Sequence, residues 1–234
     1  MKKINYLGMM VLSFSVCADS DNSWNGCYLG AHGGSANVDN HFVATFFAEE
    51  PLNKDIGSVD DSSGIYGLQA GCRMQLSNSD WVLGFKVSGS EGDTNAKHLY
   101  IEGTSENNYV SYQSENLATI SAQLGFLLSD VSLLYMNLGY GQVQMLVQDT
   151  DPTYYRGPIF FQNKRTLEDV LVGVGYEHRL SDHWSVFAEY NRIDFGKDRD
   201  VPLHDLSNFW DINDYTADIS HDMDFFQLGV NFSF

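Results

Sequence analysis

Eight alternating segments, connections that are long and short by turns, and a leader-like N-terminus together predict an all-β fold: an eight-stranded antiparallel up-and-down transmembrane β-barrel. The alternation is plainest in the last segment. Counting back from the end, Phe234, Phe232, Val230, Leu228 and Phe226 share one face, and Ser233, Asn231, Gly229, Gln227 and Phe225 share the other. A half-buried strand of a water-soluble sandwich alternates too. In a membrane barrel, however, lipid covers the apolar side, aromatic girdles mark both interfaces and the polar side faces inward. Because lipid cannot satisfy a free backbone N–H or C=O, the rest of the chain must supply partners for both edges of this strand.

The remaining segments run at about 27–38, 63–76, 81–90, 115–128, 133–147, 166–180 and 184–195, followed by the last at 222–234. Three connections are short and alike, Leu76-Ser-Asn-Ser-Asp80, Leu128-Ser-Asp130 and Leu180-Ser-Asp182, rich in side chains that hydrogen-bond locally in turns. Four are long, near 39–62, 91–114, 148–165 and 196–221, polar and mostly acidic. Short turns on one rim and long loops on the other describe a barrel with both termini in the periplasm and the loops extracellular. The faces agree. Leu68, Ala70, Cys72 and Met74 oppose Gly67, Gln69, Gly71 and Arg73, and Trp184, Val186, Ala188 and Tyr190 oppose Ser185, Glu189 and Asn191. Glycine recurs on the polar face because about eight strands enclose room for side chains and little else. Trp81 and Trp184 each open a strand directly after a short turn, which puts them in the periplasmic girdle. Gln142 is a polar residue on the lipid side of its strand, near the outer end.

Composition narrows the classes. Aromatic residues make up 14% of the chain, with 21 Gly and only 4 Pro, and no run reaches the roughly 18 to 20 apolar residues of a membrane helix. Lys2 and Lys3, an apolar stretch from Ile4 to Val16, then Val16-Cys17-Ala18 read as a secretory signal over 1–18, cleaved after Ala18, leaving one domain over 19–234. Loss of the two lysines takes the formal charge from −18 to about −20. That balance disfavours nucleic acid and anionic phospholipid and suits cations. Cys27 and Cys72 remain, an even number in an oxidising compartment. Hairpin pairing brings both to the periplasmic end on the lipid-facing parity, so a Cys27–Cys72 disulfide is expected.

The ordered set Trp24-Asn-Gly-Cys-Tyr-Leu-Gly30, Gly67-Leu-Gln-Ala-Gly-Cys72, Trp81-Val-Leu-Gly84, Leu134-Tyr-Met-Asn-Leu-Gly-Tyr-Gly141, Val172-Gly-Val-Gly-Tyr-Glu177, Trp184-Ser-Val-Phe-Ala-Glu-Tyr190 and Val230-Asn-Phe-Ser-Phe234 resembles the small porin-like proteins known as outer membrane immunogenic proteins. The resemblance spans nearly all of the chain outside the signal and the loops. It implies a surface-exposed, antigenic barrel of a Gram-negative outer membrane and no reaction. It also implies that the terminal strand, with Phe226, Leu228, Val230, Phe232 and Phe234, is the signal read by the barrel assembly machinery. Some similar proteins bind haemin, but none of the motifs matched here fixes the ligands.

Other chemistry is sparse. Of seven histidines, His32 lies on the polar face of the first strand, His178 and His183 beside a short turn, and His41, His98, His204 and His221 in or beside long loops. None pairs at a metal-ligand spacing. His41 with Phe42, Phe46 and Phe47, and His204 with Phe209 and Trp210, are the haemin candidates, each short of a second axial-ligand feature. The aspartates at 198, 200, 205, 211, 214 and 218 lack calcium-loop spacing and read as an acidic rim toward cation-bridged lipopolysaccharide. His204, Asp205 and Ser207 do not make a hydrolase, since nothing locks their geometry. Inside the barrel Lys86 and Glu189, each five residues after a girdle tryptophan, reach one depth on opposite walls and form the expected lumen charge pair. Arg73, Arg179 and Glu177 offer further pairings. No catalytic residue, metal or cofactor is expected. The reading is a structural, surface-contact barrel with lipid, lipopolysaccharide and the assembly machinery as partners. The alternatives are a haemin or other small-ligand binder, or a host-surface contact, through the loops, and a diffusion porin.

If the terminal aromatic is part of that assembly signal, deleting Phe234 stops insertion. Immunoblots of fractionated cells are expected to show the chain ending at Ser233 depleted from the outer membrane and degraded.

Overall fold

The computed structural model describes residues 24–47, 50–92, 94–102, 105–151, 159–205 and 215–234, so the expected signal segment lies outside the described residues. Nine strands follow in order: β1 (Gly26–Phe47), β2 (Glu50–Gln75), β3 (Trp81–Glu91), β4 (Thr94–Glu102), β5 (Ser105–Ser129), β6 (Ser132–Asp151), β7 (Ile159–Arg179), β8 (Trp184–Asp205) and β9 (Tyr215–Ser233). Every pairing is antiparallel between chain neighbours except two, β1 with β9 and β3 with β5, and these close the sheet on itself. The ring has eight staves. β3 and β4 lie end to end on one of them, β3 against the lower part of β5 (Ser90 opposite Leu117) and β4 against its upper part (Thr94 opposite Ser114). At that break β5 carries a bulge between Glu115 and Leu117, and Asn116 there adopts φ 50.

Following the register once around the ring, from Tyr28 through Gly71, Lys86, Ser121, Gly139, Leu171, Ile193 and Met223, returns to β1 at Val38, ten residues further on. A stagger of that size over eight staves goes with a strand tilt of roughly 35–45° and an interior that side chains fill.

The turn ends of the strands fall where the sequence puts them. The far ends do not: 39–62, 91–114, 148–165 and 196–221, expected as polar loops, are largely strand. The reason is an exchange of faces part-way along the staves, plain on β9 and β6. On β9, Phe226, Leu228, Val230 and Phe232 point out while Gln227 and Asn231 are buried inside. From Phe225 toward the far end, Phe225, Met223, His221, Ile219 and Ala217 are buried and Asp224 and Asp222 lie outside. On β6, Leu134, Met136, Leu138 and Tyr140 point out over Tyr135 and Asn137, and then Val143, Met145 and Val147 turn in under Gln142 and Gln144. The apolar face follows whichever side is dry: lipid outside in the lower half, the barrel's own interior in the upper half. Gln142 thus stands above the lipid belt.

Trp81, Phe126, Trp184, Phe232 and Phe234 border that belt at the turn end, with Trp81 edge-on to Phe126 at 5.2 Å and Trp184 edge-on to Phe232 at 5.1 Å. Tyr66, Tyr140, Tyr190 and Phe226 border it above.

Cys27 and Cys72 are direct partners in the β1–β2 ladder and are joined by a disulfide. In the chain-entropy account, closing a separation of 45 residues stabilises the fold by about 4 kcal/mol. The paired variant Cys27→Ser with Cys72→Ser is expected to lose stability of that order in denaturant titrations of the reconstituted barrel, and added reductant should change nothing further.

Candidate functional site

The interior is layered. At the turn end Trp24, Val82, Leu133 and Tyr135 form a small apolar floor. Trp24 is buried, donates its indole N–H to the Asp130 carbonyl at 3.2 Å, and lies 4.1 Å below the Arg179 guanidinium. Above it two ion pairs cross the barrel. The Arg73 guanidinium donates to Glu177 Oε2 at 2.6 Å, and Ser185 Oγ donates to the other carboxylate oxygen at 2.5 Å. Lys86 Nζ meets Glu189 Oε1, and Glu189 also accepts from Tyr135 Oη at 2.9 Å and Asn191 Nδ2 at 2.7 Å. β2 and β7 are four staves apart in the ring of eight, and so are β3 and β8. Each pair therefore joins opposite walls.

The small residues beside these pairs are sized to what fills the lumen. A Cβ on Gly175 would fall 2.3 Å from the Tyr135 ring and one on Gly71 2.5 Å from the Tyr28 hydroxyl, so the two tyrosines need those positions bare. Arg73 stacks 4.3 Å from the Tyr28 ring centre. Higher up, amides bridge the wall: Gln69 Nε2 donates to Asn231 Oδ1 at 2.7 Å, Gln123 to Asn137 at 3.1 Å, and Asn137 to Asn191 at 3.2 Å. His32 Nε2 sits 2.8 Å from Ser90 Oγ. Beyond this layer the interior is mainly apolar, with Val38, Phe42, Ile65, Leu117, Ile193, Met223 and Phe225 in one cluster and a few polar side chains such as Asn40 and Asp149 buried among them.

Above the belt, His221 is buried in that upper core with Nδ1 2.5 Å from Asn40 Oδ1, and burial pushes its pKa down to about 3, so it stays neutral. Outside at this height Asp60, Asp39, Asp222 and Asp194 stand opposite one another on β2, β1, β9 and β8. Partial burial and the neighbouring carboxylates, Asp60 for Asp39 and Asp194 for Asp222, hold Asp39 and Asp222 above the ordinary carboxylate range.

The histidines expected in loops are on strands. His41, on β1, is 3.0 Å from Asp55 Oδ1. His204, on β8, is exposed opposite Gln162 of β7. His41 stands opposite Ser220, and Ser220 opposite Lys197, seven residues short of His204, so the two do not converge. Phe209, Trp210 and Ser207 lie outside the described residues, as do Asp211 and Asp214. Asp198 is 3.0 Å from Arg165, and Asp218 is 2.9 Å from Lys197. What sequence reasoning missed is Trp24 as the floor of the lumen. Its signal was a lone tryptophan just ahead of the first strand.

A closed antiparallel ring with a lipid-facing belt, two aromatic borders and a charged interior defines an integral outer-membrane β-barrel. Residues 7–234 match the outer membrane protein β-barrel domain family, and the chain belongs to it. Its relatives include the 31 kDa outer-membrane immunogenic proteins of Brucella melitensis and Brucella suis, each 28% identical over 183 residues, which is 75% of this chain and 72% of theirs. Among solved structures it shares its fold with the outer membrane protease OmpT of Escherichia coli (TM-score 0.57, 12% identity, 89% of this chain and 97% of that one). A second example is OprG of Pseudomonas aeruginosa (0.52, 10%, 92% and 99%).

Removing one member of a cross-barrel pair strands a buried charge. Lys86→Met or Glu189→Gln alone is expected to cost about 3–5 kcal/mol, and the double change distinctly less than the sum. Unfolding of the four proteins in lipid vesicles measures that coupling, and strict additivity would mean that the pair does not act as one unit.

Proposed function

We propose that this protein is a non-catalytic surface barrel of the bacterial outer membrane, closed to solutes, that acts through its outer wall. The far end faces outward and the short turns and both termini face the periplasm. The observation that carries this reading is the pair of ion bridges across the lumen, set between an aromatic floor and an apolar upper core. A diffusion pore needs a continuous wet path, and these three layers weigh against one. Its partners are outer-membrane lipid and lipopolysaccharide along the wall and, during biogenesis, the barrel assembly machinery. The Brucella relatives are named as immunogenic outer-membrane proteins, which accords with exposure at the surface. A haemin role is not favoured, since His41 is engaged by Asp55 and the two candidate histidines stand apart.

Planar-bilayer recording is the test. Wild type should show little steady conductance, whereas Lys86→Met and Glu189→Gln should each give larger or noisier currents. A large steady wild-type conductance that neither change alters would replace this reading with the porin.

A further inference from the structure

The upper border of the belt has a gap. Tyr66 on β2 and Tyr140 on β6 stand in it, but the outward positions between them are Gly89 on β3 and Ala118 on β5, opposite each other in the ladder. A Cβ added to Gly89 meets nothing within 4 Å. Two adjoining recesses result, about 750 Å³ and about 480 Å³, which share Ala118. Their floor is apolar, with Leu68, Gly89, Ala118 and Ile120. Their upper rim holds Glu91, Asn116, Gln142 and Glu168, and among the described residues no Lys or Arg lines either one. Asn116, at the bulge in β5, is exposed on the same side as Ala118 and Ile120, and the Tyr66 hydroxyl donates to Glu91 Oε2 at 3.0 Å, fixing one end.

The floor is continuous with the lipid-facing wall, so the medium that adjoins it is hydrocarbon. A recess left empty there forfeits dispersion contacts that an acyl chain restores. The rim asks for something else. Amides and carboxylates pair with hydroxyl groups, while a phosphate beside Glu91 and Glu168 meets like charge. We propose that the double recess is a binding site for an outer-leaflet glycolipid, with one acyl chain along the Gly89 and Ala118 floor and a sugar's hydroxyl-bearing edge on Asn116 and Gln142. The acidic rim turns any phosphate of that lipid away from the wall. This rests on the outward orientation and the lipopolysaccharide partnership proposed above, and does not depend on the closed lumen.

The experiment extracts the full-length protein from its own envelope in mild detergent. Lipopolysaccharide, through its hydroxylated acyl chains, and phospholipid are then weighed per folded barrel by mass spectrometry. Gly89→Trp fills the recess from a position with open space around it. Asn116→Ala removes one rim amide, and Ala188→Trp, on β8 four staves from β3, is the control. Retained lipopolysaccharide is expected to fall about tenfold in Gly89→Trp and about threefold in Asn116→Ala, the weight of one hydrogen bond. Ala188→Trp should match wild type. Heat-modifiable migration on gels confirms that each variant is folded. Wild-type retention in folded Gly89→Trp, or an equal fall in Ala188→Trp, overturns the site. Phospholipid lost in step with lipopolysaccharide, with Asn116→Ala silent, overturns the sugar recognition. Wild-type conductance bears on the closed lumen and leaves these outcomes unchanged.

Discussion

Hydrocarbon offers the backbone no hydrogen-bond partner, and the ladders of this barrel obey that constraint to a definite height. β1 pairs with β9 from Tyr28 opposite Ser233 upward, which closes the ring through the belt. Two seams lapse. β2 and β3 are in register only as far as Tyr66 opposite Glu91, and among the described residues no ladder joins β2 to β4 beyond that point. β7 and β8 keep register up to Leu171 opposite Ile193 and regain it only at Gln162 opposite His204. Side chains cross the second seam instead, with Asn163 Nδ2 donating to the Pro202 carbonyl at 2.6 Å and Arg165 meeting Asp198. Both lapses begin at the level where outward residues turn from apolar to acidic. Unpaired backbone there is tolerable only if water is present, so the ladders locate the upper edge of the lipid independently of side-chain polarity.

Below that edge the interior must be polar enough to follow the alternation and full enough to leave no void. Ion pairs that cross the lumen satisfy both demands, although a buried pair adds little net stability compared with apolar packing. Their consequence is geometric: each fixes one wall against the wall opposite. Above the edge the outside is wet, and the same chain builds a dry core as a water-soluble barrel does.

How much of this was legible follows from the same division. Parity alone assigned the belt and the lumen of the lower half, because period-two alternation needs no knowledge of partners. Lys86 and Glu189 could be placed at one depth because each follows a girdle tryptophan by five residues. Arg73 and Glu177 could be named as pairing candidates but not matched in depth or told apart from Arg179, since that depends on the ten-residue stagger, which no single strand reveals. The upper half was read as loop for a compositional reason: its aspartates dominate the average. Yet Tyr215, Ala217, Ile219, Met223 and Phe225 alternate, interrupted by His221 alone, on the parity opposite to Phe226, and Phe225 on the polar side of the last strand marks the changeover. The bare patch at Gly89 and Ala118 was invisible because it exists only once β3 lies beside β5.

The strands also change what kind of surface the protein presents. β1 ends at Phe47 and β2 begins at Glu50, and β4 ends at Glu102 where β5 begins at Ser105, so the outer region of these staves is mostly sheet. A sheet wall braced from within by Phe42, Val110, Val147 and Ile219 is already ordered before anything binds it. Contact with such a wall avoids the ordering cost of a flexible loop, on the order of 0.5–1.5 kcal/mol for each rotamer-rich side chain immobilised. Under the surface-contact role proposed above, the fixed features of the described outer face are the carboxylate row and the recesses beneath it, and the filled interior holds those features in place.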